Sequence, residues 1–235
     1  RTLEGRHWRN SMSIHPTAIV DSSANIADGV SLGPYSIIGA NVTLESGVSV
    51  GHHASVTGPT TIGANTQIFP YAAIGGDAQD KKYAGEEAFL TVGERNIFRE
   101  YTTVNRGTRG GHTTIGNDNL FMAYSHVAHD ATIGNQCAFA NSANIAGHVQ
   151  IENNVVLGGL VGVHQYCRIG RCAMVGGGAM AAQDVPPFTI AQGDRARLFG
   201  LNIVGLRRNG FSLEVVNALK GAYRELFHQG LPLRI

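Results

Sequence analysis

The chain has 235 residues, 43% of them hydrophobic and only 15% charged, with 31 glycines and a net charge of +1. So neutral a balance gives no electrostatic footprint for nucleic acid, and no apolar run approaches the length of a membrane span. Three cysteines without metal-ligand spacing and no signal peptide point to a reducing, cytoplasmic compartment.

Residues 1–12 open with RTLEGRHWRN, follow no repeat, and read as tag or vector residue, with native sequence from near Met12. From Val20 an aliphatic residue recurs every six positions: Val20, Ile26, Leu32, Ile38, Leu44, Val50, Val56, Ile62, Ile68, Ile74. A six-residue period fits neither a helix nor a simple alternating strand. It fits a prism whose every side is one short strand and a turn, so that three sides make a coil of eighteen residues. Gly, Asn and Asp gather where the chain must turn a corner, a position that often needs φ > 0.

A polar insertion at 76–91 interrupts the frame and carries Asp80, Lys81 and Lys82. The hexads resume at Val92, Phe98 and Val104, break again over 105–114, and then run without pause from Ile115 to Val175. Insertions in a solenoid collect at its corners and often on the binding face. In the second run Val127, Ile145 and Val163 are eighteen apart and begin the same side of three coils. Successive strands of such a stack are about 4.8 Å apart, so His126, His129, His148, His164 and Gln165 gather on one strip. Cys137, Ala143, Val155, Ala173 and Ala179 are the small residues that a narrow interior requires.

The repeats fade near Ala181, and AQGDRARLFG reads as a turn-rich joint. From Ser212, a plausible N-cap, the pattern becomes helical, with Val215, Val216, Leu219, Tyr223, Leu226 and Phe227 as its stripe and Gly230 past its end. The expected organisation is mainly β: a parallel β-helix over 13–190, then a C-terminal helical domain over 191–235 that reads as incomplete.

The segment SHVAHD at 125–130 is the sharpest local signal. A neutral histidine with a carboxylate beside it makes a general base that works near neutral pH. One such histidine alone reads as an ordinary outward-facing residue; four on one strip read as a site. Three imidazoles from neighbouring coils would also suit zinc with an open fourth position, as in γ-class carbonic anhydrases. Against that stands the separation of His126 and His129 on either side of a corner, and no metal is assigned. Arg207-Arg208 is a phosphate-binding candidate, because guanidinium bonds phosphate bidentately.

With these residues placed, the chain resembles the UDP-N-acetylglucosamine O-acyltransferase family of hexapeptide-repeat enzymes. The matching stretches are IHPTAIV at 14–20, DKKYAGE at 80–86, VNRGT at 104–108, SHVAHD at 125–130, AGHV at 146–149, GVHQYCRIG at 162–170, AQDVPPFTIAQG at 182–193 and GLRRNGFS at 205–212. The resemblance implies a left-handed coil in a homotrimer, with sites between adjacent subunits. It implies transfer of an (R)-3-hydroxyacyl chain from acyl carrier protein to the 3-hydroxyl of UDP-N-acetylglucosamine, the first step of lipid A biosynthesis, without a cofactor. On that footing His129 is the base, Asp130 supports it, and the Gly147 N–H stabilises the oxyanion. Asp80, Lys82, Asn105, His126, His148, His164 and Gln165 would line the substrate groove, with Asn202 and Arg208 at the nucleotide end. Met122 and Gly177 would border the acyl pocket.

Three positions depart from the family pattern. Asn105 stands where familiar members carry His, so that a 3-amino sugar becomes an alternative acceptor. Val204 and Asn209 replace an acid and a second arginine near the nucleotide end. The related N-acyltransferases would carry a uridine-binding domain ahead of the hexads, which here begin at the start. A purely structural β-helix is the non-catalytic alternative.

Overall fold

The computed structural model describes residues 13–228. The leader read as tag and Gly230 lie outside the described residues. Strands of two to five residues make three sheets of eleven, nine and eight strands and, before the last two, follow one another in rotation through them. The first sheet starts at Ser13–Ile14, the second at Ile19–Val20 and the third at Asn25–Ile26, and up to Met180–Ala181 every third strand returns to the same sheet. Pairing within the stack is parallel and in register, as in Leu120↔Ala138↔Val156↔Met174 on the first sheet. This is a parallel β-helix whose coil repeats every eighteen residues wherever no insertion intervenes.

The hexad residues form its interior. Ile38, Leu44, Val50, Val56, Ile62, Ile68 and Ile74 are buried, as are Ile115 through Val175 in the second run. Val20, in the first described coil, is still 36% exposed. Phe98, Phe121 and Phe139 stack at 4.7 Å between ring centroids, which is the inter-strand spacing itself, so the aromatic column keeps the period of the backbone.

The corners differ from expectation in one respect. The position three after most buried hexad residues is left-handed, yet it is mostly not glycine. At the corner from first to second sheet it is filled by Tyr35, His53, Tyr71, Tyr101 and Tyr124, with φ between 56° and 64°. Left-handed backbone costs a bulky residue roughly 1–2 kcal/mol. Each ring recovers part of that by stacking on the next, as Tyr71 does on Tyr101 at 5.1 Å and Tyr101 on Tyr124 at 4.9 Å, worth about 0.5–1.5 kcal/mol a pair. Backbone bonds across the corners complete the turn, such as His53 N–H to Pro34 O at 3.0 Å. The glycines sit instead where coils touch: a Cβ on Gly51 would stand 2.7 Å from Pro70 N.

Both insertions are shorter than the sequence suggests. Ala73–Gly76 and Phe89–Val92 bracket the first, which therefore spans 77–88; Thr103–Asn105 and His112–Ile115 bracket the second, at 106–111. Phe89–Val92 and His112–Ile115 each alternate outward and buried residues, which lets them pair along four residues. Both loops leave the corner between the second and third sheets.

The joint after the repeats is likewise not a loop. Gly193, at φ 94°, lies in the reversal that brings Arg197–Leu201 back antiparallel to Thr189–Gln192, extending the first sheet. Helical structure thus begins not at residue 191 but at α1 (Ile203–Arg208), followed by α2 (Leu213–His228). The Ser212 hydroxyl accepts from Val215 N–H at 3.3 Å, as an N-cap does. Val216 and Leu219 of the expected stripe pack inward, against Leu206, Cys172, Phe188 and Phe211; Val215 and Leu226 are exposed.

Candidate active site

An open groove of about 520 Å³ runs along the second sheet and over its corner with the third. His126, His129, Gly147, His164 and Gln165 are among its walls, with Gln79 of the first insertion and Met180. The register explains the gathering: His126, Asn144 and Gly162 are aligned partners on three consecutive coils, and the corner residues after them stack in the same order.

His129 is 8% exposed. Its Nδ1 lies 2.9 Å from Asp130 Oδ2. Asp130 is held below the usual carboxylate range: burial pushes its carboxyl up, but bonds from His129, the Thr108 hydroxyl and the Thr108 N–H outweigh it. A carboxylate only accepts, so Nδ1 carries a proton, and in the neutral ring the lone pair is then on the other nitrogen, Nε2. That edge of the ring lies over Gly147, where an added Cβ would stand 2.7 Å from both Cε1 and Nε2. Among the described residues the Gly147 N–H donates no backbone hydrogen bond. A base with a free lone pair therefore lies beside a free N–H donor, as addition to a carbonyl requires.

The other histidines are arranged around this pair. His126 shares a 2.7 Å hydrogen bond between Nδ1 and Thr103 Oγ1, and its pKa is lowered, first by burial and then by the neighbouring His129. It is thus a neutral polar wall. His148 meets His129 edge-on at 5.1 Å and stacks on Tyr166 at 4.7 Å; its Nε2 is 3.8 Å from Asp130 Oδ2. His164 Nδ1 is 3.1 Å from Gln165 O. His129, Asp130 and His148 bring one ligand atom each within 4.8 Å of one another. A metal bound through His129 Nδ1 would have to displace the proton that this nitrogen shares with Asp130.

Several expected residues are not walls of this groove. Asp80 caps its own loop, accepting from Lys82 N–H at 2.9 Å, and Lys82 is exposed. Asn105 is buried, donates through Nδ2 to Asp77 O at 2.8 Å, and leaves Oδ1 without a partner. Asn202 is buried as the N-cap of α1: Oδ1 accepts from Gly205 N–H at 3.0 Å and Nδ2 donates to Cys172 O at 2.9 Å. Its amide thus serves its own chain, as the cap of α1 and as a tie to Cys172. Arg208 ends the same helix, exposed. Met122 and Gly177 lie on the corner between first and second sheets, about three coils or 14 Å apart. Sequence reasoning missed Thr103, Thr108 and Gln79; Thr108, in VNRGT, was open to notice as a hydroxyl within a frame-breaking loop.

Comparison with known proteins bears on this geometry. A family model described as UDP N-acetylglucosamine O-acyltransferase, domain 2, matches residues 184–235, and one for six bacterial transferase hexapeptide repeats matches residues 112–147. The chain is 54% identical to an acyl-(acyl-carrier-protein)–UDP-N-acetylglucosamine O-acyltransferase of Stenotrophomonas maltophilia, covering 95% of this chain and 86% of that one. It is 58% identical to the protein of that name from Alkalilimnicola ehrlichii, over 92% and 85% of the two chains. Among solved structures, the UDP-N-acetylglucosamine O-acyltransferase of Moraxella catarrhalis aligns with a TM-score of 0.92 at 42% identity, covering 94% and 87%. The Francisella novicida acyltransferase gives 0.91 at 37%, covering 94% and 82%. A coil wound with the opposite hand could not superpose so closely, and the fold is the left-handed parallel β-helix.

Proposed function

The chain belongs to the UDP-N-acetylglucosamine O-acyltransferase family and is an acyltransferase, and we propose that it moves an (R)-3-hydroxyacyl group from acyl carrier protein to the sugar 3-hydroxyl of UDP-N-acetylglucosamine, at the entry to lipid A biosynthesis. The observation that carries the mechanism is the His129–Asp130 pair, with Nδ1 engaged by the carboxylate and the opposite ring edge over Gly147. Nε2 takes the proton of the hydroxyl as its oxygen attacks the thioester carbonyl. The Gly147 N–H bonds the oxyanion, the C–S bond breaks, and the carrier thiolate recovers the proton from His129. Holding both substrates together with one base suffices, so no covalent acyl-enzyme is required.

The active assembly in this reading is a homotrimer with grooves between neighbours. In its support, Asp80 and Lys82 do not line the groove of their own chain, and a neighbour would supply such residues. Arg208 would serve the nucleotide, Met122 and Gly177 the acyl chain. No helix among the described residues is long and apolar enough to cross a membrane, and the three free cysteines suit the reducing compartment in which we place the reaction.

One observation favours a second acceptor. The buried Asn105 Oδ1 has no donor, and it lies just beyond the Val104↔Val127 pair, one coil below Ala128 in the groove wall. A 3-amino group carries two donor hydrogens where a hydroxyl carries one. Transfer from a panel of 3-hydroxyacyl carrier proteins to UDP-N-acetylglucosamine and its 3-amino analogue, with and without chelator, tests all of this. Chelator-resistant transfer supports the base mechanism, and the preferred acceptor reports on Asn105. Absence of transfer to either, with zinc in the purified protein, would favour the carbonic anhydrase alternative.

A further inference from the structure

The second insertion bears directly on the catalytic pair. Thr108, at its centre, donates through Oγ1 to Asp130 Oδ2 at 2.7 Å and through its backbone N–H to Oδ1 at 3.1 Å. Both carboxylate oxygens are therefore tied, and the plane of the group is fixed. The Asp130 backbone is held in turn, its N–H donating to Thr113 Oγ1 at 2.9 Å. The loop reaches this close only because it is glycine on both sides of Thr108: a Cβ on Gly107 would stand 2.7 Å from Asp130 Oδ1, and one on Gly111 would collide with the same atom. It is also anchored to the coil below, with Arg106 N–H on Gly76 O at 2.9 Å, Gly107 N–H on Phe89 O at 3.1 Å and Gly110 N–H on Glu87 O at 2.7 Å. The position of Thr108 is thus dictated by backbone rather than by a free rotamer.

What this clamp decides is which histidine the carboxylate serves. Asp130 Oδ2 faces two imidazoles, His129 Nδ1 at 2.9 Å and His148 Nε2 at 3.8 Å. A carboxylate free to rotate could close on His148, leaving Nδ1 of His129 without an acceptor and its tautomer undefined. We propose that Thr108 is a positioning residue that locks the Asp130 carboxylate onto His129 and away from His148, so that one of two neighbouring histidines becomes the base. The inference rests on the reading of His129 as base. Thr108 is not a wall of the groove, so it acts only through Asp130.

The test compares Thr108→Val, which keeps shape and the N–H, with Thr108→Ser, which keeps the hydroxyl, in steady-state acyl transfer. It adds ring 15N spectra of His129 in each. A hydrogen bond to a charged group lost from the pair should lower kcat about tenfold or more in Thr108→Val. The KM for either substrate should stay near wild type, the His129 tautomer signal should become mixed, and Thr108→Ser should restore both. Wild-type kcat and unchanged His129 signals in folded Thr108→Val would overturn the proposal, as would a loss that serine does not rescue. Should the valine variant fail to fold, Gly111→Ala takes its place: it keeps the hydroxyl but pushes on Oδ1, and a folded protein of wild-type kcat again overturns the proposal. His129→Ala separates the two levels. Full activity there sinks the base itself, whereas an inactive His129→Ala beside a fully active Thr108→Val sinks only the clamp.

Discussion

Gly147→Ala probes the base assignment without removing a functional group. Gly147 is not in the left-handed region, so alanine meets no backbone penalty there. The new methyl, however, would lie 2.7 Å from His129 Cε1 and Nε2, whereas ordinary contact begins at 3.4 Å. The imidazole must therefore retreat by about 0.7 Å, and a displacement near 1 Å at a reacting atom can cost on the order of a hundredfold in rate, or about 2.7 kcal/mol. Overpacking of this kind costs roughly 1–3 kcal/mol of stability, which for a chain of this size lowers Tm by about 2–4 °C per kcal/mol. The variant should thus fold and assemble, bind both substrates with nearly unchanged KM, and lose about two orders of magnitude in kcat. Steady-state acyl transfer beside a thermal melt measures both quantities. A folded Gly147→Ala with wild-type kcat would mean that the position of the His129 ring does not matter, and the general-base mechanism would fall with it.

Further expectations concern titration, assembly, core and thiols. His126 has a depressed pKa, so the unfolded chain binds its proton first on acidification; its contribution to stability is complete above pH 6.5 and is lost as pH falls below that value. Urea midpoints between pH 5 and 8 should decline toward acid in the wild type and decline less in His126→Gln; equal slopes would refute the burial argument. Mixing His129→Ala with Lys82→Ala subunits under conditions that exchange protomers should restore part of the activity neither has alone, since some grooves would then be intact; no recovery in verified mixed oligomers argues against sites shared between subunits. Phe121→Ala removes the middle ring of the buried stack and should cost about 3–5 kcal/mol, read as a lower denaturation midpoint with unaltered KM; a loss below about 1 kcal/mol would mean the column collapses without leaving a cavity. Burial pushes the Cys137 thiol up to about 12, so iodoacetamide at pH 8 should modify it only on unfolding.

The β-helix was legible because its interior is one residue deep. Each hexad residue must face the axis, so period alone identifies Val127, Ile145 and Val163 as neighbours, and from that the strip of histidines follows. Loop boundaries were less legible, since Phe89–Val92 and His112–Ile115 alternate with period two while the hexad frame looks only at every sixth residue. The joint at 191–200 was misread for a related reason: an edge strand such as Arg197–Leu201, half exposed and pairing on one side, carries little hydrophobic pattern. Asn202 was expected at the nucleotide end through the family resemblance; its bonds to Gly205 and to Cys172, thirty residues away, are marked by no local pattern. Thr108 and Thr103 were hidden because partners twenty-two and twenty-three residues away are set by the insertions, which break the eighteen-residue arithmetic.

That breakage is itself part of how the site arises. An uninterrupted coil of this kind places equivalent residues every eighteen positions and so repeats its corners, which makes a regular wall but not a unique point on it. The left-handed residue at the corner, Asp130 at φ 57° and His148 at φ 61°, occurs coil after coil and by itself singles out nothing. What singles out the Asp130 corner is the pair of loops inserted at the same edge in the two preceding coils. One brings Gln79 to the groove; the other lays Thr108 on the carboxylate. The rigid stack fixes imidazoles one strand-spacing apart, and the insertions make one of them chemically different from its neighbours. Deleting 107–111 and rejoining the strands would, on this view, leave a regular coil that still carries His126, His129 and His148 in register yet has no preferred base.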